Sequence, residues 1–225
     1  MQHTNFSIAI DGPAGAGKST VARAVADRLG AHYLDTGAMY RAAGLYMHEH
    51  GIETPEDIAV HACDPDISIC FQDGVQHTLL GGEDVTRAIR APEASLMASR
   101  VGSVAAIRRR MVELQRAYAK GHDVVMDGRD IGTDVLPDAT LKVFLTASPE
   151  VRAKRRYAEL QAKGASDTYE KVLAEIIQRD YDDSHRAASP MRQANDAMRV
   201  DSSDMTPEQV VDTIVNALRG REVHA

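Results

Sequence analysis

Short apolar runs alternate with longer segments whose apolar residues return every three or four positions. Ser7 to Ile10 is a β-prone run that ends at Asp11-Gly12. Beyond it, Val21, Ala22, Val25, Ala26 and Leu29 fall on one helical face, and Gly30 stands where a left-handed residue closes a helix. His32-Tyr33-Leu34 reads as a second strand, and Asp35-Thr36 as the N-cap of a helix running towards Gly51. Thr54-Pro55-Glu56-Asp57 starts another helix, with proline at its first position. Val124-Val125-Met126, Leu141 to Leu145 and Met198 to Val200 are further strand-length runs. Ser148-Pro149 caps a helix, a second spans roughly Tyr169 to Asp183, and Thr206-Pro207-Glu208-Gln209 is a capping box for a last one. Val210, Val211, Ile214, Val215 and Leu218 give that last helix its core face. Five short strands alternating with helices predict an α/β fold with a parallel sheet covered on both faces.

The alternation is interrupted once. Ile67 to Phe71 and Val75 to Leu80 flank Asp73-Gly74, a hairpin signal, so short antiparallel strands are expected in an inserted module. Helices follow from about Pro92 and about Val104, the second carrying an apolar stripe of Val104, Ile107, Met111, Leu114 and Tyr118.

Composition narrows the function classes. The chain of 225 residues suffices for one hydrophobic core plus a small module. Its 26 basic and 33 acidic side chains leave a formal net charge of -7, which argues against a nucleic-acid polymer or an anionic membrane as the main partner. Cys63 and Cys70 are too few and too loosely spaced for a zinc site or a disulfide framework. No apolar run approaches the roughly 18 residues of a membrane span, and Met1 to Phe6 lacks the pattern of a signal peptide. A soluble, cytoplasmic monomer is expected.

Gly12-Pro13-Ala14-Gly15-Ala16-Gly17-Lys18-Ser19 fits G-x-x-x-x-G-K-[ST] in full, between a predicted strand and a predicted helix. Glycines let the backbone wrap phosphate oxygens with its N–H groups inward, and the helix N-terminus adds positive partial charge. Lys18 reaches the β- and γ-phosphates, and the Ser19 hydroxyl ligates Mg²⁺ accompanying the nucleotide. The motif by itself does not separate a kinase from a GTPase or an ATPase.

Other segments supply acceptor chemistry. Asp35-Thr36-Gly37-Ala38-Met39-Tyr40-Arg41 gathers a hydroxyl, an aromatic and an arginine, although Tyr40 and Arg41 read equally as an ordinary helix face. Asp127-Gly128-Arg129-Asp130 follows a buried strand, at the end of the sheet where α/β proteins bind ligands. Arg179, Asp183 and Arg186 share one stripe if their helix continues far enough, a pattern that also fits a solvated ion-pair face. Arg152, Lys154, Arg155 and Arg156 form a basic patch before the Lys163-Gly164 break.

Together these segments resemble the bacterial cytidylate kinases, a P-loop nucleoside-monophosphate kinase family. The resemblance is carried by IDGPAGAGKST at 10–20, LDTGAMYR at 34–41, LLGGEDVTRAIRAPE at 79–93, MDGRDIGT at 126–133 and QRDYDDSHRAASP at 178–190. It implies a P-loop core whose five parallel strands run 2-3-1-4-5, at about 1–60, 121–150 and 190–225. A CMP-binding insert is implied at about 61–120 and a short lid at about 151–189. ATP and CMP or dCMP are the implied substrates. ATP would be held by Gly12 to Thr20, including Thr20 itself, with Arg155 and Arg156, and Lys18, Arg129 and Arg179 would be catalytic. Ser99, Arg108 and Asp130 would read the cytosine. Thr36 would supply a hydroxyl to CMP; Tyr40, Arg179 and Asp183 would contact the ribose. Arg41, Arg129 and Arg179 would take the CMP phosphate, and Arg186 would orient Asp183 and Asp127. Thr36 stands where some members carry serine, which also supplies a hydroxyl, and Ser19 where some carry glycine between the lysine and the threonine, a change expected to leave phosphate binding intact.

Other P-loop classes fit less well. A GTP-dependent switch needs N-K-x-D, but Asn5, Asn195 and Asn216 are the chain's asparagines and none precedes lysine. A kinase for a neutral acceptor such as shikimate has no need of so many acceptor-side arginines. An adenylate or uridylate kinase of the same architecture is the nearer alternative, although adenylate kinases lack an insert of this kind.

Overall fold

The computed structural model describes residues 5–162 and 164–222; Lys163, placed by the sequence at the break after the basic patch, lies outside them. Along the chain run β1 (Ser7–Asp11), α1 (Lys18–Leu29), β2 (His32–Asp35), α2 (Thr36–Glu49), α3 (Pro55–Val60), β3 (Ile67–Gln72), β4 (Val75–Leu80) and β5 (Glu83–Asp84). Then come α4 (Pro92–Gly102), α5 (Ala105–Ala119), β6 (Val124–Gly128), β7 (Leu141–Thr146), α6 (Pro149–Ala162), α7 (Tyr169–His185), β8 (Met198–Asp201) and α8 (Pro207–Glu222). The five-stranded sheet has the order β2-β6-β1-β7-β8. Counted within that sheet, this is the 2-3-1-4-5 order the resemblance implies. β1 pairs β7 in parallel from Ile8 opposite Leu141 to Asp11 opposite Phe144, and β7 pairs β8 from Val143 opposite Met198.

Two compact units emerge, one built on His32–Val124 and the other on Phe6–Ala31 with the chain from Val125 onward. In the second, Ile8, Ile10, Val143 and Leu145 of the strands and Val25 and Ile214 of α1 and α8 are all buried. Each such side chain contributes about 1.5–3 kcal/mol by leaving water, which is why the alternating runs commit to a sheet covered by helices. Gly12 marks a close approach there. Its φ is +144°, and a Cβ would lie 1.9 Å from the Leu145 carbonyl oxygen, so no other residue fits without displacing β7. After β6 the chain makes one wide turn over Ile131–Val135, in which the Asp130 carbonyl accepts from the N–H groups of Asp134 (2.9 Å) and Val135 (3.2 Å). Sequence periodicity gives no sign of this five-residue turn.

In the first unit, Met39, Met47, Ile58, Ile107 and Met111 form the buried centre. Gly44 on α2 lets α4 come close, since a Cβ there would meet the Ala98 nitrogen at 2.9 Å. The expected hairpin is present as β3 and β4, joined by Asp73 and Gly74 with φ of 50° and 75°. Paired positive φ values give a turn that matches strand twist. β5, two residues long, extends it to three antiparallel strands and has no sequence signature. The hairpin is fixed to β2 by Phe71 stacking on His32 at 4.2 Å and by Gln76. The Gln76 side chain accepts from the Asp35 N–H (2.7 Å) and donates to its carbonyl (3.3 Å).

Candidate active site

The loop from Gly12 to Gly17 leaves β1 and enters α1, with Gly15 and Gly17 at φ of 75° and 87°. These are left-handed values that glycine adopts at little cost, and they bend the loop into the helix N-terminus. Lys18 is buried, and its Nζ donates to the Pro13 carbonyl at 2.7 Å. Burial, and then the Arg129 charge, hold its ammonium well below the ordinary lysine range, while Asp127, Asp11 and Asp183 oppose that fall. An anion entering this loop therefore meets a cation already stripped of water, where charge acts most strongly.

Arg152, in the first turn of α6, braces the loop. Nε donates to the Ala147 carbonyl (2.9 Å), Nη1 to the Ala14 carbonyl (3.0 Å), and Nη2 pairs with Asp180 of α7 (2.6 Å). The sequence showed Arg152 only as part of a basic patch; its neighbour Ala153 on the apolar face was the available hint. Arg155 takes another direction, donating to the Ser202 hydroxyl (3.2 Å) and carbonyl (2.7 Å) in the loop after β8. Arg156 is exposed and pairs with Glu159.

The Ser19 hydroxyl donates to Asp127 at 2.9 Å. A hydroxyl and a carboxylate at the mouth of a phosphate loop are hard oxygen donors of the kind Mg²⁺ takes. The resemblance places Asp127 with the acceptor; this bond also ties it to the loop. Two residues on, Arg129 Nε donates to Asp183 at 2.6 Å, and Arg186 pairs with Asp130 at 3.3 Å and with Asp183 at 3.8 Å. Four of the expected acceptor residues thus form one network, with Arg186 bridging Asp130 and Asp183. Burial works against charge on Asp183, yet Arg129, Arg179 and Arg186 outweigh it and hold the carboxyl below its ordinary range. Arg179 lies at the surface of α7; protein packed about its guanidinium, and then Arg129, hold it below the usual arginine value. Mutual repulsion among Lys18, Arg129 and Arg179 is a standing attraction for anions.

The other unit carries its own polar cluster. Asp35 caps α2 by accepting from the Ala38 N–H (2.9 Å), and its second oxygen accepts from Arg41 (3.0 Å) and Arg90 (3.2 Å). Gly37 makes room for this, since a Cβ there would meet Arg41 Nη1 at 3.1 Å. Thr36 is buried beside it. Arg108 is buried on α5, lies 5.7 Å from the Tyr40 ring centroid and donates to the Gly102 carbonyl at 3.3 Å. Ser99 is exposed on α4. Arg90, not assigned a role from sequence, stood inside one of the motifs that carry the resemblance.

No helix among the described residues is long and apolar enough to cross a membrane. By fold, the chain is similar to an uncharacterised protein from Eubacterium ventriosum, with a TM-score of 0.53 at 14% identity, covering 96% of this chain and 99% of that one. By sequence it is 49% identical over 212 residues to the cytidylate kinase of Corynebacterium glutamicum, covering 93% of this chain and 92% of that protein. It is 45% identical over 212 residues to the cytidylate kinase of Thermosipho melanesiensis, covering 94% and 96%. Residues 8–220, from the strand before the phosphate loop to the last helix, match the cytidylate kinase family, and the chain belongs to that family.

Proposed function

We propose that this chain transfers the γ-phosphoryl group of ATP to CMP or dCMP, giving ADP and CDP or dCDP. The observation that carries this is the family match over residues 8–220, which takes in the phosphate loop, the Arg129-Asp130 turn and the Arg179–Asp183–Arg186 stripe together.

A CMP phosphate oxygen attacks the γ-phosphorus in line, and ADP leaves without a covalent enzyme intermediate. Gly12 to Thr20 hold the donor phosphates, Lys18 follows the β- and γ-oxygens through transfer, and Arg155 and Arg156 serve the ATP side. Arg129 and Arg179 neutralise the transferring group, and Arg41 joins them on the CMP phosphate. Ser19, with Asp127, would hold Mg²⁺, which when bound neutralises phosphate charge. Tyr40, Arg179 and Asp183 face the ribose, and Thr36 offers a hydroxyl. Ser99, Arg108 and Asp130 select cytosine, because its N4 amino group donates where the uracil O4 accepts. Residues of about 61–120 form the CMP module and those of about 151–189 the lid; closure excludes water that would otherwise take the phosphoryl group. The protein works as a cytoplasmic monomer in pyrimidine nucleotide metabolism.

Single-turnover phosphorylation of CMP, dCMP, UMP, AMP and shikimate tests the assignment: CMP and dCMP should react, and preference for any other acceptor would overturn it. Asp130→Asn refines the result. Its added NH₂ donor suits O4, so the CMP-to-UMP ratio of kcat/KM should fall at least about tenfold. An unchanged ratio would remove Asp130 from base selection.

A further inference from the structure

Asp11 ends β1, one residue before the phosphate loop, and is 4% exposed. Oδ1 accepts the Ile131 N–H and Oδ2 the Gly132 N–H, both at 2.7 Å. We infer that Asp11 is a positioning residue that presets the Arg129-Asp130 turn for the acceptor nucleotide, from the strand that also launches the phosphate loop.

The geometry is specific. Ile131 and Gly132 open the wide turn after Asp130, so their N–H groups are the leading ones of that turn and need a partner outside it. Both residues are buried, and a donor left unmatched there is costly. An ionised carboxylate accepts from both at once and makes stronger bonds than a neutral group would. Gly132 is part of the fit: a Cβ there would press on the Lys142 side chain at 3.2 Å and approach Asp11 Oδ2 at 3.4 Å. The anchor itself has little freedom, because adjacent Gly12 lies hard against the Leu145 carbonyl. Burial raises the Asp11 carboxyl to about 6; the two N–H bonds oppose that rise, the Asp130 charge adds to it, and Lys18 opposes it. The strand-end carboxylate is thus kept in a place that disfavours its charge, where its use is to hold the two amides.

The inference rests on Arg129 and Asp130 being acceptor ligands. Asp11→Asn keeps the size but turns an NH₂ donor towards one of the two N–H groups. At saturating ATP the CMP KM should rise at least about tenfold, the weight of a lost charge-assisted bond, while the ATP KM stays within about twofold. Amide exchange read by NMR should accelerate at Ile131 and Gly132 but not along β1. Equal rises in both KM values, or an unchanged CMP KM, would overturn it. Should the variant not fold, the wild type decides: preset amides are already slow without ligand, whereas protection that arises only on adding CMP overturns the inference. Arg129→Ala separates the two failures. If it leaves CMP affinity intact, the acceptor assignment falls and this inference with it; if it weakens CMP while Asp11→Asn does not, the inference alone falls.

Discussion

The phosphate loop and the α6–α7 pair both present cations, but they hold them differently. Lys18 is 5% exposed, fixed to the Pro13 carbonyl, in a loop braced by Arg152 and seated against β7 through Gly12. Arg156 and Arg179 stand exposed on two helices whose own buried centre consists of Ala153, Val172 and Ile176. A cation fixed beforehand costs no reorganisation when charge moves in the reaction. A cation on a thinly buried hairpin can arrive with the substrate, since regions with few buried contacts open most readily. On the proposed function the difference divides the work: the loop would define where the donor phosphates sit, and the helices would complete the site.

Removing the fixed cation should have the largest effect. Lys18→Ala is expected to lower kcat at least about 100-fold, the usual size of such an electrostatic contribution, with CMP affinity largely kept in calorimetry. Unchanged turnover would show that the fixed cation does not carry the transfer. Next come the glycines of the loop. Gly12→Ala places a Cβ 1.9 Å from a backbone oxygen at positive φ, so ATP binding should collapse and the melting temperature should drop. Gly17→Ala, with φ of 87° and open space, should cost only about 1–2 kcal/mol of stability. Comparable losses for the two would mean that close packing on β7 does not set the loop.

The helical side is probed through its core. Ile176→Ala removes one of three buried side chains at about 2–5 kcal/mol, and amide exchange should rise across 149–185 while the sheet keeps its protection. Uniform acceleration would show that α6–α7 opens only with the whole unit. Asp183→Ala should have the smallest effect, a roughly tenfold greater loss of kcat/KM for CMP than for dCMP if its carboxylate accepts from the ribose 2′-OH, the weight of one charge-assisted bond. Its lowered carboxyl also sets a sign: the stabilisation from its partners is full above the ordinary carboxylate range and is lost as pH falls through its depressed value. Acid unfolding of Asp183→Asn should therefore lose part of its pH dependence below about 4, the ordinary aspartate value.

Much of this protein was legible along the chain because periodicity and phosphate-loop chemistry are local. The runs at Ser7, His32, Val124, Leu141 and Met198 became the five strands. Gly30 closed α1 in the left-handed conformation, and the Thr206–Gln209 box formed with bonds of 2.8 and 3.3 Å. The loop glycines and Lys18 follow from what a backbone must do to wrap a phosphate. Partnerships across long sequence separations were invisible, because no local pattern records which strand end faces which turn. Only tertiary structure brought Asp11 to the amides of Ile131 and Gly132, 120 and 121 residues on, or set Ser19 against Asp127. It alone turned Arg152 from one member of a basic patch into a brace on the Ala14 carbonyl, 138 residues away in the chain. A buried charge must be matched by whatever groups the folded core delivers to it, and that delivery depends on sheet order and packing rather than on neighbours in sequence.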